Sequence, residues 1–213
     1  MHILNIGTPL SSTKYHEVRN IDFLSGVTLL DADLIFWDVN TSHKQFPGSS
    51  GSVNTTSSQS TIDSLKANIS KRKSELNEYF KIGRTLIITS PIFHKYNYTF
   101  QNSDAKEHLD FIDCLDITKP KYEYVTGQNI QALNRDFIDS YYLLNKKFFK
   151  YHIKITKSNG LPIMFIKDTK YVVSEYYRIN NGLLIVLPQI KFINAINDSL
   201  PFLNSTCTSG SSF

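Results

Sequence analysis

SELNEYFKIGRTLIITSP, residues 74–91, runs from the end of an amphipathic helix through one glycine into a buried strand. Leu76, Tyr79 and Phe80 fall on one helical face and continue Ile62, Leu65 and Ile69 upstream, while Lys66, Lys71, Lys73 and Glu75 mark the other. Ser60 or Thr61 supplies the N-cap, Asp63 suits the first turn, and Gly83 offers the left-handed residue that ends the helix. TLIITS, residues 85–90, is too short for a helix and rich in strand formers.

Upstream, ILNI at 3–6 is a short apolar run closed by Gly7, Thr8 and Pro9, and DADLIFWD at 31–38 is a second run bounded by acids. The segment between them reads as irregular and polar. Strand, strand, loop, helix, strand is the order of a parallel sheet with crossover helices, so the predicted class is α/β with an open, mostly parallel sheet. Residues 41–60, TSHKQFPGSSGSVNTTSSQS, hold few large apolar side chains to offset ordering entropy and predict a mobile loop, either a surface insertion, the favoured reading, or a lid over a site.

Downstream, Asp104 and Glu107 mark a helix start whose apolar face is Leu109, Ile112 and Leu115. Phe137, Tyr141, Leu144 and Phe148 predict another over 135–149. Past residue 150 the pattern becomes hairpins: YHIKITK, PIMFIK, KYVVSEYYRI and LLIVLP alternate with turn residues, two of the turns ending in Asn-Gly, and form an antiparallel meander. Residues 1–120 are thus the α/β core, 121–213 complete the same domain, and the polar tail from about residue 204 frays.

The 213 residues, 41% hydrophobic and 20% charged, suit one globular domain. The amino terminus lacks the basic flank and long apolar stretch of a signal peptide, and no apolar run approaches a membrane span, so a cytoplasmic chain with no membrane partner is expected. Two cysteines, Cys114 and Cys207, fit a reducing compartment better than a disulfide framework. Six histidines form no H-x-x-x-H pair and the cysteines no C-x-x-C, so no metal site is expected. Asp31 and Asp33 precede their strand and Asp38 follows it, about 17 Å from Asp33 at the usual strand rise, which is too far to share an ion.

Ligands of open parallel sheets gather at the carboxyl ends of the strands, which brings Gly7, Thr8, Asp38, Asn40, Ser90 and His94 to one edge as candidate ligand-binding residues. Gly7 stands outside any G-x-G-x-x-G or P-loop spacing, so no cofactor is expected there. No catalytic couple emerges. The stretch NKKFFKYHIKITK sets Lys146, Lys147, Lys150 and Lys154 among aromatics, a pattern able to bind nucleic acid, although Ile153 and Ile155 alternating with His152 and Lys154 is also what a half-solvated strand displays.

ILNIG, DADLIFWD and SELNEYFKIGRTLIITSP together resemble the glutamine-amidotransferase-like branch of the flavodoxin-like folds over residues 1–120. That resemblance implies a catalytic cysteine on a strand-to-helix elbow with a histidine partner. The corresponding position is Ser90, which Pro91 biases away from the strained elbow conformation, and Cys114 in FIDCLDI has no flanking glycines. The resemblance therefore implies a member without the nucleophile: a non-catalytic protein-binding or assembly module whose partner is another protein or a second copy. The alternatives are a nucleotide or small-ligand sensor or hydrolase using the carboxyl edge, and a nucleic-acid-binding accessory protein.

Overall fold

The computed structural model describes residues 1–38 apart from 8, 13 and 15, then 54–89, 96–100, 106–109, 114, 115, 117, 121–126, 130–132 and 151–188. Its centre is a ten-stranded mixed sheet. Strands β1 (His2–Ile6), β2 (Glu17–Ile21), β3 (Leu34–Trp37) and β5 (Thr85–Thr89) are mutually parallel, and the late strand β13 (Gly182–Leu187) joins β5 in the same direction. Across the sheet these five run β2-β1-β3-β5-β13. Chain order reverses between β1 and β3, and this reversal positions the candidate site.

Near-continuous apolar strands arise because both sheet faces are covered. Leu4, Ile6, Ile35, Trp37, Leu86, Ile88, Leu184 and Val186 point into one core, and the intervening Ile3, Leu34, Phe36, Ile87, Ile185 and Leu187 into the other. Helix α1 (Gln59–Lys81) fills the first core with Ile62, Leu65, Ile69, Leu76, Tyr79 and Phe80, the face its spacing predicts. Truncating one such side chain, as in L65A, costs about 2–5 kcal/mol.

Both ends of α1 are capped. Ser58 accepts from the Thr61 amide, two residues ahead of Ser60 and three ahead of Thr61, the predicted caps. At the other end Gly83, at φ +82°, donates its amide to Phe80 while the Arg84 amide reaches Tyr79, the paired bonds of a Schellman motif. The hairpin turn before β13 docks on this terminus: Asn181 Nδ2 donates to the Lys81 carbonyl and the Leu183 amide to that of Arg84. Gly182 is required at this junction, because a Cβ there would stand 2.7 Å from the Arg84 carbonyl oxygen and 2.8 Å from Phe80 Cα.

The predicted meander is present in part. Strands β11 (Leu161–Ile166), β12 (Val172–Ile179) and β13 alternate in direction, with β9 (Ile130–Ala132) antiparallel to β11. β10 (Tyr151–Lys157) is antiparallel to β12 as well, so it shares the direction of β11 and the hairpin expected at Ser158–Gly160 is replaced by a bend between two strands; β8 (Lys121–Thr126) runs antiparallel to β10. This antiparallel part is continuous with the parallel strands through β13, and Ile163, Met164, Ile166 and Val173 supply apolar surface to the second core.

Three expectations are corrected. Residues 17–21 are a strand rather than irregular: β2 is an edge strand in which Ile21 is the buried residue, so it has no apolar run to announce it. The carboxyl end of the predicted 41–60 loop is ordered, with β4 (Asn54–Ser57) pairing with β6 (Tyr96–Phe100) and Gln59 starting α1. Backbone pairing needs no apolar side chains, and threonine favours strands. The helix expected from Asp104 is replaced by β7 (Lys106–Leu109), antiparallel to β6 in a small three-stranded sheet, so tertiary pairing overrides a local helical spacing. Beyond it Cys114 and Leu115 are buried in the first core, with the Cys114 thiol 3.5 Å from the Ile69 carbonyl. The helix predicted over 135–149 and the tail from 204 lie outside the described residues. Among the described residues no helix is long and apolar enough to cross a membrane.

Candidate functional site

Register aligns the carboxyl ends of three strands. Ile6 pairs with Trp37 and Trp37 with Ile88, so Gly7, Asp38 and Thr89 form the next row. Gly7 has φ +114°, a conformation that side-chain-bearing residues rarely adopt, and it turns the chain out of the sheet. The Asp38 amide donates to the Ile6 carbonyl at 2.8 Å, and the buried Thr89 hydroxyl donates to Asp38 Oδ1 at 2.9 Å. The predicted convergence of Gly7 and Asp38 is therefore observed, and Thr89 is a side chain that bonds Asp38 there. Thr8, Asn40, Ser90 and His94 lie outside the described residues.

No helix follows β1 among the described residues. Residues 9–12 instead run beside β2: Asn20 accepts from the Leu10 amide and donates to its carbonyl, both at 2.8 Å, and Ser12 Oγ accepts from the Val18 amide at 3.0 Å. Asn5 on β1 donates to the same Asn20 oxygen at 2.7 Å. An anion-binding turn at the end of β1 needs free amides and a helix dipole behind them. Here the Leu10 amide is committed to a side chain.

Two buried polar centres lie elsewhere, and neither was singled out from sequence. Arg72, 1% exposed, projects from α1 into the β2–β3 connection. Its guanidinium donates to the carbonyls of Phe23, Val27 and Ser25 at 2.8–3.0 Å and to Glu75 at 2.6 Å. Glu175, also 1% exposed, sits in mid β12 between Pro162 of β11 and Val186 of β13. Ser158, in the β10–β11 turn, and Tyr177 donate their hydroxyls to its two oxygens. Burial pushes the Glu175 carboxyl above its ordinary range against the opposing pull of these bonds, and pushes the Tyr177 hydroxyl up as well, helped by the adjacent carboxylate. Desolvating a carboxylate costs several kcal/mol, against about 1.5–3 kcal/mol for each hydrogen bond to a charged group.

At the amino edge of the sheet, His2, Glu17, Arg19, Val27, Thr28 and Asp31 line a shallow cavity of about 140 Å³. It lies at the opposite end of β1 from Gly7 and holds charges of both signs. Nearby Asp33 accepts from the His2 amide at 2.9 Å and pairs with Arg84. The His2 amide, assisted by Arg84, holds its carboxyl below the usual range despite partial burial.

Of the candidate nucleic-acid contacts, Lys146, Lys147 and Lys150 lie outside the described residues. Lys154 occupies a β10 position directly opposite Glu123 of β8. Among the described residues no three acidic, histidine or cysteine side chains gather as a metal site requires.

No family model and no curated protein matches this sequence. Among solved structures, the cold-adapted β-galactosidase from Rahnella sp. R3 is similar over 96% of this chain and 31% of its own, at 9% identity and a TM-score of 0.51. A catalytic mutant of Gan42B, a GH42 β-galactosidase from G. stearothermophilus, is similar over 90% of this chain and 23% of its own, at 11% identity and a TM-score of 0.44. The chain spans less than a third of either enzyme's length. The first likeness is one of fold. The class that fold and site define is an α/β protein with a mixed sheet whose order reverses between β1 and β3.

Proposed function

We propose that this chain is a non-catalytic binding or assembly module on a degenerate, amidotransferase-like version of the flavodoxin-like fold, acting as a subunit of a larger complex. The five parallel strands, numbered by their appearance in the chain, follow the order 2-1-3-4-5, the flavodoxin-like order, whose ligand site lies at the β1/β3 reversal. The observation carrying the functional reading is what occupies that reversal. The turn after β1 leads into a segment strapped to β2 by Asn20 and Ser12, and the Asp38 carboxylate accepts from Thr89. Polar groups that a nucleotide would need are spent on holding strand ends together.

The partner expected is a protein or a second copy of the chain. Thermal denaturation against a panel of nucleotides, with light scattering across concentration and after mixing with co-purifying chains, tests the reading. It expects no nucleotide to raise the melting temperature and a defined oligomer or hetero-complex to form. A chain that is monomeric throughout, joins no complex and is stabilised by one nucleotide in an Asp38-dependent way would establish the sensor reading instead. That runner-up is favoured by Gly7, whose lack of a side chain leaves backbone bare at the reversal.

A further inference from the structure

We propose that the Ser158-Asn159-Gly160 turn is a proton-controlled latch, closed over the buried Glu175 carboxyl and opened when that carboxyl ionises. The turn lies directly on the group. A Cβ on Gly160 would stand 2.6 Å from Glu175 Cδ and 2.8 Å from Oε2, so nothing larger than glycine fits without displacing the carboxyl. Ser158 connects the two layers, its Oγ donating to Glu175 while accepting from the Gly160 amide at 3.1 Å.

The cover is thin. Ser158 and Gly160 are half-buried and Asn159 is exposed, whereas the flanking strands hold Ile155, Ile163 and Met164 in the interior. The turn is therefore the element that can lift without breaking a core.

The described side chains that bond the carboxylate are neutral. Strands β11 and β13 and the turn itself contain no titratable residue, β12 adds the exposed Arg178, and β10, which meets β12 at Ile155 and Val172, carries His152, Lys154 and Lys157. On β12 the group that touches it is Tyr177, a neutral donor, and the Tyr79 hydroxyl of α1 is spent on the Thr85 carbonyl. With two neutral hydroxyls as its partners, a buried carboxylate is relieved by reaching water, and lifting the turn supplies it.

The sign follows from which state holds the proton. In the closed turn burial raises the carboxyl above its ordinary 4.5, and in the open turn the carboxyl is hydrated. Closure is thus fully favoured below the ordinary value and is lost as pH rises through the raised one. Between the two, each pH unit favours opening by about tenfold, one proton being released to solvent.

The test is amide hydrogen exchange of the full chain between about pH 5 and 8, corrected for the intrinsic base-catalysed rate and read at the Gly160 amide. Wild type is expected to lose protection by about tenfold per pH unit over part of that range, and E175Q to show a flat profile. A flat wild-type profile, or the same slope in E175Q, overturns the proposal. G160A provides the control should E175Q not fold. The Gly160 backbone is not left-handed, so alanine acts there by displacing the carboxyl. G160A is expected to exchange rapidly at all pH values; retention of the wild-type slope overturns the latch.

Discussion

Arg72 and Glu175 are equally buried, each 1% exposed, and the protein treats them in opposite ways. Arg72 meets three backbone carbonyls and a carboxylate, a shell of acceptors matched to a planar fork of donors. Glu175 meets two hydroxyls. The first arrangement makes a permanent charge part of the scaffold, pinning the β2–β3 connection to α1. The second gives a carboxyl two neutral donors, and burial raises it above its ordinary range against their pull. Burial alone does not say whether an ionisable residue is structural or responsive; the partners do.

The sharpest way to break this comparison is R72M, which keeps the packing volume and strands three carbonyls and Glu75. A loss of about 3–5 kcal/mol is expected in urea denaturation, with little change between pH 5 and 8 because a guanidinium stays charged throughout. R72K retains the charge without the fork and should lose about 2 kcal/mol by the same assay. A loss as large as that of R72M would mean that hydrogen-bond geometry, rather than charge, holds the connection.

E175Q addresses the other side. Its stability relative to wild type should improve by up to about 1.4 kcal/mol per pH unit as pH rises above the ordinary carboxyl range, visible as crossing melting curves. Y177F removes one hydroxyl donor and should cost about 1 kcal/mol, more at high pH than at low, since a bond to the ionised carboxyl is the stronger. The smallest effect belongs to D33N at the partly exposed ion pair. Asp33 is held below its ordinary value, so its contribution is present above that value and fades as pH falls through the depressed one. Solvent screening limits it to under about 1 kcal/mol, measurable as a reduced acid-side slope.

Much of this architecture was legible. ILNI, LIFW, TLIIT and GLLIVL announce themselves because they are buried on both faces, and Gly83 ends α1 as its position predicts. β2 and β4 were missed because edge position and small-sheet pairing rest on backbone bonds, which leave no apolar signature, and β7 because the helical spacing that begins at Leu109 competed with it. Convergence of Gly7 and Asp38 followed from strand order, yet Thr89 was overlooked because a residue inside an apolar run reads as core. Signals for the buried ionisable pair were present. Arg72 stands three residues after Ile69 and four before Leu76 on the apolar face, and Glu175 stands between the buried Val173 and Tyr177. A charge on a buried stripe is conspicuous only once the stripe is known to be buried.

The register of β13 against β5, Leu183 beside Thr85, has a consequence for biogenesis. A chain emerging from the ribosome exposes the free flank of β5 until nearly half the sequence more has been made, and any other extended segment can pair there meanwhile. Closing so long a loop slows folding, and the Asn181-Gly182 dock on the α1 terminus holds the strand in place once it has arrived. Truncation before Gly182 should therefore yield insoluble protein rather than a smaller folded domain.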